Sequence, residues 1–411
     1  MPMRLTRSPA MLFAVLTGLA LGPVPSGPAE AWAAPQHAAP EGPAEGTPDT
    51  GAETEAQAAP GETGQAQKAG PKVASEADAT ADTTGPSADA PGDGRPSFQQ
   101  WLADVRAEAA KRGIAQAVVD AALGDVQQLE RVVRRDRNQA EFVETYQQYL
   151  DKRVSDWRIE KGREMAAKHG DLLREVAAAY NVQPRFIAAI WGMETNYGLV
   201  DPGYRLFDAV ATLAYDPRRS GFYRRELFAA LEILDQGYAT LDQMKSSYGG
   251  AMGQPQFLPS AYLRLAEDFD GDGRRNIWTS QADVFASIAN YLARSGWRSD
   301  ITWGRAVQVP AGVRTAAAKL DQAPAPGRCA RYKSLEQTLR IEQWQQIGVR
   351  KADGSDLPGR NLAAALIVDD DRPERGWLVY QNFCTTMAYN AAFKYALGVG
   401  LLSDKLWPVL R

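Results

Sequence analysis

The chain has 411 residues, with 50 acidic side chains against 46 basic ones and a net charge of −4. It is long enough for two or three average domains and too evenly charged to announce a partner. Its only histidines are His37 and His169 and its only cysteines Cys329 and Cys384, which excludes a multi-histidine or cysteine-rich metal site and leaves acid–base chemistry mainly to carboxylates.

Met1 to about Ala34 reads as a secretory signal. Arg4 and Arg7 open it, Ala10 to Leu21 is an apolar run too short to span a bilayer, and Ala29-Glu30-Ala31-Trp32-Ala33-Ala34 ends in small residues. No cysteine follows on which a lipid anchor could form, so a soluble periplasmic or secreted protein is expected. Residues 35–96 contain 11 acids, 3 bases and no Leu, Ile, Met, Phe, Tyr or Trp; such a segment cannot bury a core and is expected to be a disordered tether. With both segments set aside, bases outnumber acids by about three, a mild balance that suits an anionic polymer.

Residues 97–411 form the candidate folded region. Ser97 reads as an N-cap for a helix whose Phe98, Trp101, Leu102, Val105 and Ala109 share one stripe. Helical spacing recurs over Ile114–Leu123, Ile159–Tyr180, Leu206–Tyr215 and Phe222–Gly237, around an aromatic-rich stretch at Phe142–Trp157. Pro184 to Gly198 is a short apolar helix, with Pro in its first turn and Gly to close it. A Gly-rich turn at Ser246–Gln256 follows, and then a helix marked by Phe285, Ile288, Ala289 and Leu292 and closed by Gly296. Short strands are expected around Val307, Val309 and Val313, at Leu362–Val368 and at Trp377–Tyr380, before a last helix from about Thr386 to Leu397. The expected fold is mainly α, with a small strand-containing part near the C-terminus.

Three stretches carry chemistry. On the helix after Pro184, Ile187, Ile190, Trp191 and Glu194 fall at i, i+3, i+4 and i+7, which places a carboxyl on an apolar face. Burial there disfavours the ionised form and makes Glu194 a candidate general acid; the alternative is a solvated acid in a last turn. In Ser247-Tyr248-Gly249-Gly250-Ala251-Met252-Gly253-Gln254-Pro255-Gln256 the glycines allow close backbone approach, and Gln254 and Gln256 can bind amides or hydroxyls of a sugar. A tight turn before a helix explains the same residues equally well. Asp268, Asp270 and Asp272 at loop positions one, three and five and Gly273 at six open like an EF-hand loop, but Thr279 stands where a bidentate Glu belongs. Asp283 is the candidate that closes the site, for a structural calcium ion; the alternative is an acidic turn with no ion. Cys329 and Cys384 fit either one disulfide or two buried thiols. Tyr146, Tyr149, Tyr197 and Tyr248 are candidates for stacking on sugars or for the core.

Gly192-Met193-Glu194-Thr195-Asn196-Tyr197-Gly198, followed by Gly250-Ala251-Met252-Gly253-Gln254-Pro255-Gln256-Phe257-Leu258-Pro259-Ser260, resembles the membrane-bound lytic transglycosylase B family. The similarity continues through Asn290-Tyr291 and Gly296-Trp297 to Tyr389-Asn390, across most of residues 97–411, although the lipobox cysteine of the name-giving members is missing. The resemblance implies a lysozyme-like helical catalytic domain with flanking helical and small mixed parts that cuts the MurNAc-GlcNAc bond of peptidoglycan. It implies peptidoglycan glycan strands as partner, no nucleic acid, no membrane span and no required cofactor, and it supports a lengthened calcium loop. By motif, Glu194 matches the single catalytic acid, and Ser247, Gln256, Tyr291, Tyr389 and Asn390 match positions lining the sugar cleft.

The chemistry implied for one carboxyl is protonation of the glycosidic oxygen, then removal of the proton from the MurNAc C6 hydroxyl as it closes on C1 to give a 1,6-anhydro sugar. A hydrolytic muramidase would need a second carboxylate, for which Asp201, Asp208 and Asp216 are candidates. A peptidoglycan-binding protein without turnover is the reading from a different class.

Overall fold

In a computed structural model of the chain, residues 94–137 and 144–411 are described; the signal, nearly all of the tether and Phe142 lie outside them. Ser97 begins the fold as a capping box, its hydroxyl accepting from the Gln100 amide while the Gln100 side chain accepts from the Ser97 amide. Helices α1 (Phe98–Lys111), α2 (Gln116–Leu123) and α3 (Glu130–Arg137) follow.

Helix α4 (Tyr146–Arg153) leads to α5 (Asp156–Lys168) and α6 (Gly170–Tyr180). One helix is expected over 159–180, but the chain turns at His169, whose ring packs edge-on against Trp191 and Phe285. Helix α7 (Pro184–Thr195) is buried on all sides from Arg185 to Met193, so the expected apolar face is in fact a whole apolar rod. Strand β1 (Tyr204–Arg205) precedes α8 (Leu206–Tyr215) and α9 (Ser220–Asp235). It pairs antiparallel with β2 (Lys245–Ser246), Tyr204 opposite Ser246, which fixes the start of the Gly-rich turn. Helices α10 (Pro259–Leu265) and α11 (Gln281–Arg294) complete the helical part.

The strand-bearing part is a five-stranded antiparallel sheet of order β4-β6-β7-β3-β5: β3 (Gly304–Gln308), β4 (Thr338–Arg340), β5 (Arg350–Lys351), β6 (Ala363–Val368) and β7 (Arg375–Val379). Alternation divides its faces. Ala365, Ile367, Trp377 and Val379 pack into the core around α7, whereas Val307, Leu366 and Leu378 pack with Trp344 of α13 (Ile341–Gln346). Val313 is not in a strand, because Gly312 takes a left-handed conformation (φ 73°) and starts α12 (Val313–Ala317). The last helix expected from Thr386 is two helices, α14 (Gln381–Thr386) and α15 (Phe393–Leu406), with a break at residues 387–392.

Cys329 and Cys384 form a disulfide, Cα to Cα 5.1 Å, which ties α14 to the turn at Gly327–Arg331. Among the described residues, no helix is long and apolar enough to cross a membrane. One apolar core surrounds α7 and α15, a second joins α1, α2, α8 and α9 to the Gly-rich turn, and Tyr389 touches both.

Candidate active site

The end of α7 is shaped by three successive left-handed residues, Asn196 (φ 51°), Tyr197 (φ 64°) and Gly198 (φ 78°). Such a backbone is costly for a non-glycine residue unless its surroundings impose it. Here they do. Arg158 donates from Nε to Asn196 Oδ1 at 3.1 Å, and the Tyr197 hydroxyl donates to the Arg158 carbonyl at 2.9 Å. Tyr197 folds back into a slot between two glycines: a Cβ at Gly162 would lie 2.2 Å from its hydroxyl, and one at Gly192 2.4 Å from its ring. These contacts settle Tyr197 as core, and Tyr149 is likewise buried. Tyr146 packs against Trp377.

Glu194, in the last turn of α7, is half-buried, and its Oε1 accepts from the Tyr395 hydroxyl of α15 at 2.5 Å. Burial first, and then the Glu194 charge, pushes both the Tyr395 and Tyr389 phenols well above their ordinary range, so both stay protonated. Tyr389 stands on the 387–392 break. Its hydroxyl donates to the Pro255 carbonyl at 2.5 Å, and its ring lies 4.6 Å from that of Tyr291 and 5.8 Å from that of Phe257. Tyr291 donates to the Ala388 carbonyl at 2.6 Å. The break in the expected helix is therefore held open from outside, by bonds to the Gly-rich turn and to α11. It brings the Tyr389 phenol within reach of the Glu194 charge, and Asn390 next to it is half-buried.

The Gly-rich turn is a tight loop closed by its own backbone. The Ser247 amide donates to the Ala251 carbonyl at 2.9 Å, and the Ser247 hydroxyl accepts from the Ala251 amide at 3.2 Å. Gly250 (φ 84°) has no room for a side chain, since a Cβ would lie 2.7 Å from Val210. Gln256 is held left-handed (φ 53°), and its side-chain Nε2 donates to the Gly253 carbonyl at 2.9 Å. Gln256, Tyr291 and Tyr389 are thus joined within one or two residues of each other's contacts. Ser247 lies at the far end of the same turn.

In the acidic loop, ligand oxygens of Asp268, Asp270 and Asp283 come within 4.8 Å of one another. Asp272 of the expected set is not among these three; its carboxylate accepts from the Arg274 amide at 2.8 Å. Asp283 is buried and accepts from the amides of Phe269 at 2.8 Å and Asn276 at 2.7 Å; burial raises its pKa against those bonds. Three carboxylates, two from the loop and Asp283 from the first turn of α11, are a donor set suited to a hard cation.

The candidate second carboxylates are engaged elsewhere. Asp208, raised by burial, accepts from the Gln127 amide at 3.0 Å; in Asp216, burial is outweighed by Arg218, 3.1 Å away, which holds it low. Asp201 is exposed, 3.5 Å from Lys245. The residue that sequence reasoning missed is Tyr395. It stands 201 positions from its partner on an unremarkable helical stretch, and only its six-residue distance from Tyr389 could have drawn attention to it.

The chain matches the Transglycosylase SLT domain family over residues 97–404. It is 29% identical over 304 residues to membrane-bound lytic murein transglycosylase B of Escherichia coli, covering 72% of this chain and 79% of that protein. SltB3 of Pseudomonas aeruginosa, solved in complex with NAG-anhNAM-pentapeptide, is 37% identical with a TM-score of 0.68, covering 76% of this chain and 80% of that one. The lytic transglycosylase Slt35 of E. coli, solved in complex with calcium, is 26% identical with a TM-score of 0.61, covering 77% and 94%.

Proposed function

The chain belongs to the Transglycosylase SLT domain family, and from that membership we propose that it is a lytic transglycosylase of peptidoglycan in which Glu194 is the single acid and base. The observation that carries this reading is the Glu194–Tyr395 pair at 2.5 Å, set beside Tyr389 and the Gly-rich turn, while Asp201, Asp208 and Asp216 are engaged elsewhere. Protonated Glu194 gives its proton to the glycosidic oxygen between MurNAc and GlcNAc as that bond breaks. The MurNAc C6 hydroxyl then closes on C1 and returns its proton to the carboxylate, leaving a 1,6-anhydro end. The hydroxyl belongs to the reacting sugar, so no water and no second carboxylate are needed. The anhydro sugar bound by the Pseudomonas relative supports this outcome.

Ser247, Gln256, Tyr291, Tyr389 and Asn390 line the glycan cleft in this reading. Asp268, Asp270 and Asp283 hold a calcium ion that stiffens the loop before α11, a role supported by the calcium complex of the E. coli relative. The Cys329–Cys384 bridge and the signal-like first 34 residues support export to the periplasm or beyond.

The test is mass spectrometry of the muropeptides that the wild type and Glu194→Gln release from purified peptidoglycan. Anhydro ends from the wild type alone are expected. Products one water heavier would replace the reading with a muramidase, and no products from a folded, glycan-binding protein would replace it with a binding module.

A further inference from the structure

In sequence Gln254 is equally a residue able to bind a sugar and part of a tight turn; the fold directs its polar atoms inward. Its Oε1 accepts from the Trp191 indole at 2.7 Å and from Gln281 Nε2 at 3.4 Å, and its Nε2 donates to the Trp278 carbonyl at 2.9 Å. Its main chain is engaged as well. The Gln254 amide donates to the Ile277 carbonyl at 2.9 Å, and the Gln254 carbonyl accepts from the Thr195 hydroxyl at 3.0 Å. Both acceptor positions of the side-chain oxygen are used, which leaves it little capacity for a ligand.

Trp191 and Thr195 flank Glu194 on α7, at i−3 and i+1. Gln254 therefore holds the last turn of α7 from two sides and joins it to residues 277–278, at the end of the acidic loop. The fit is tight: a Cβ at Gly198 would stand 2.5 Å from Gln254 Oε1. That contact, together with φ 78°, gives a physical reason for glycine at the close of the motif.

We infer that Gln254 is a positioning residue: it fixes the turn that carries Glu194 through the Trp191 indole and the Thr195 hydroxyl, and it does not touch the sugar. This rests on the assignment of Glu194 as the acid. A carboxyl that must meet a glycosidic oxygen loses rate steeply when displaced, whereas binding of a long glycan, spread over many contacts, does not.

The experiment compares Gln254→Met, which keeps bulk and removes the side-chain hydrogen bonds while the main-chain bonds to Thr195 and Ile277 remain, with Trp191→Phe, which removes the indole donor from the other side, and with the double variant. Each is assayed as the full chain on soluble glycan strands, well below its own melting temperature. Each single variant should lose roughly tenfold or more in kcat with KM little changed, and the double should lose no more than the worse single. In the [15N]tryptophan-labelled protein without substrate, the Trp191 indole proton should move upfield in Gln254→Met. A rise in KM at unchanged kcat would make Gln254 a sugar contact. Unchanged kcat and KM with a lowered melting temperature, or fully additive losses, would make it scaffold only. If Gln254→Met does not fold, Trp191→Phe carries the same expectation alone. The wild type and Glu194→Gln in the same assay test the acid itself, and the indole resonance reports on Gln254 independently of turnover.

Discussion

The Tyr395 hydroxyl donates to the Glu194 carboxylate across 201 residues of sequence, joining α15 to the last turn of α7. A phenol on a carboxylate both orients it and stabilises its charged form. Tyr395→Phe keeps the buried ring and removes the bond, so folding should be retained while the rate of anhydro-muropeptide release falls about tenfold, the worth of one hydrogen bond to a charged group. An unchanged rate in the purified variant would remove Tyr395 from the mechanism.

Burial and the Glu194 charge both raise the Tyr395 and Tyr389 phenols, so neither should ionise where ordinary tyrosines do. An ultraviolet titration through about pH 10 should give equal amplitudes for the wild type and Tyr395→Phe. A lost phenolate in the variant at that pH would show the hydroxyl to be solvent-accessible.

His169 is shifted the other way: burial, then Lys168, lowers its pKa from 6.5. A histidine kept neutral by the fold contributes stability above its unfolded pKa, and that contribution is lost as pH falls through about 6.5 and below. Against His169→Phe, which keeps an aromatic edge for Trp191 and Phe285, the melting temperature of the wild type should decline as pH is taken from 8 to 5. A constant difference over that range would contradict the assignment.

The disulfide holds α14, the helix that delivers Tyr389. Replacing both cysteines by serine should cost about 2–4 kcal/mol, read as a lower midpoint in urea, and reduction of the wild type should reproduce the loss. A variant of wild-type stability would show the bridge to be dispensable.

Calcium added to the chelator-treated protein should raise its melting temperature by mass action. Asp270→Asn should abolish the rise, since Asp270 is exposed and its loss leaves the bonds of buried Asp283 intact. A rise of equal size in the variant would place the ion elsewhere.

Periodicity and caps were enough to identify the N-cap at Ser97, the start of α7, the extent of α8, the helical class and the small strand-bearing part, because local spacing and capping chemistry decide them. The carboxyl at Glu194 was legible for the same reason. Residues 386–397 read as one helix because Ala, Met and Leu favour it, yet the bonds of Tyr389 to Pro255 and of Tyr291 to Ala388 hold a break there. Local propensity was overridden by tertiary contacts worth more than the helical turn they displaced. The same holds for Tyr395 and for Gln254, whose polar atoms are claimed by Trp191 and Trp278. Sequence determined which segments are helical and which carboxyl sits among apolar residues; only the packing of segments more than fifty positions apart decided which groups that carboxyl meets.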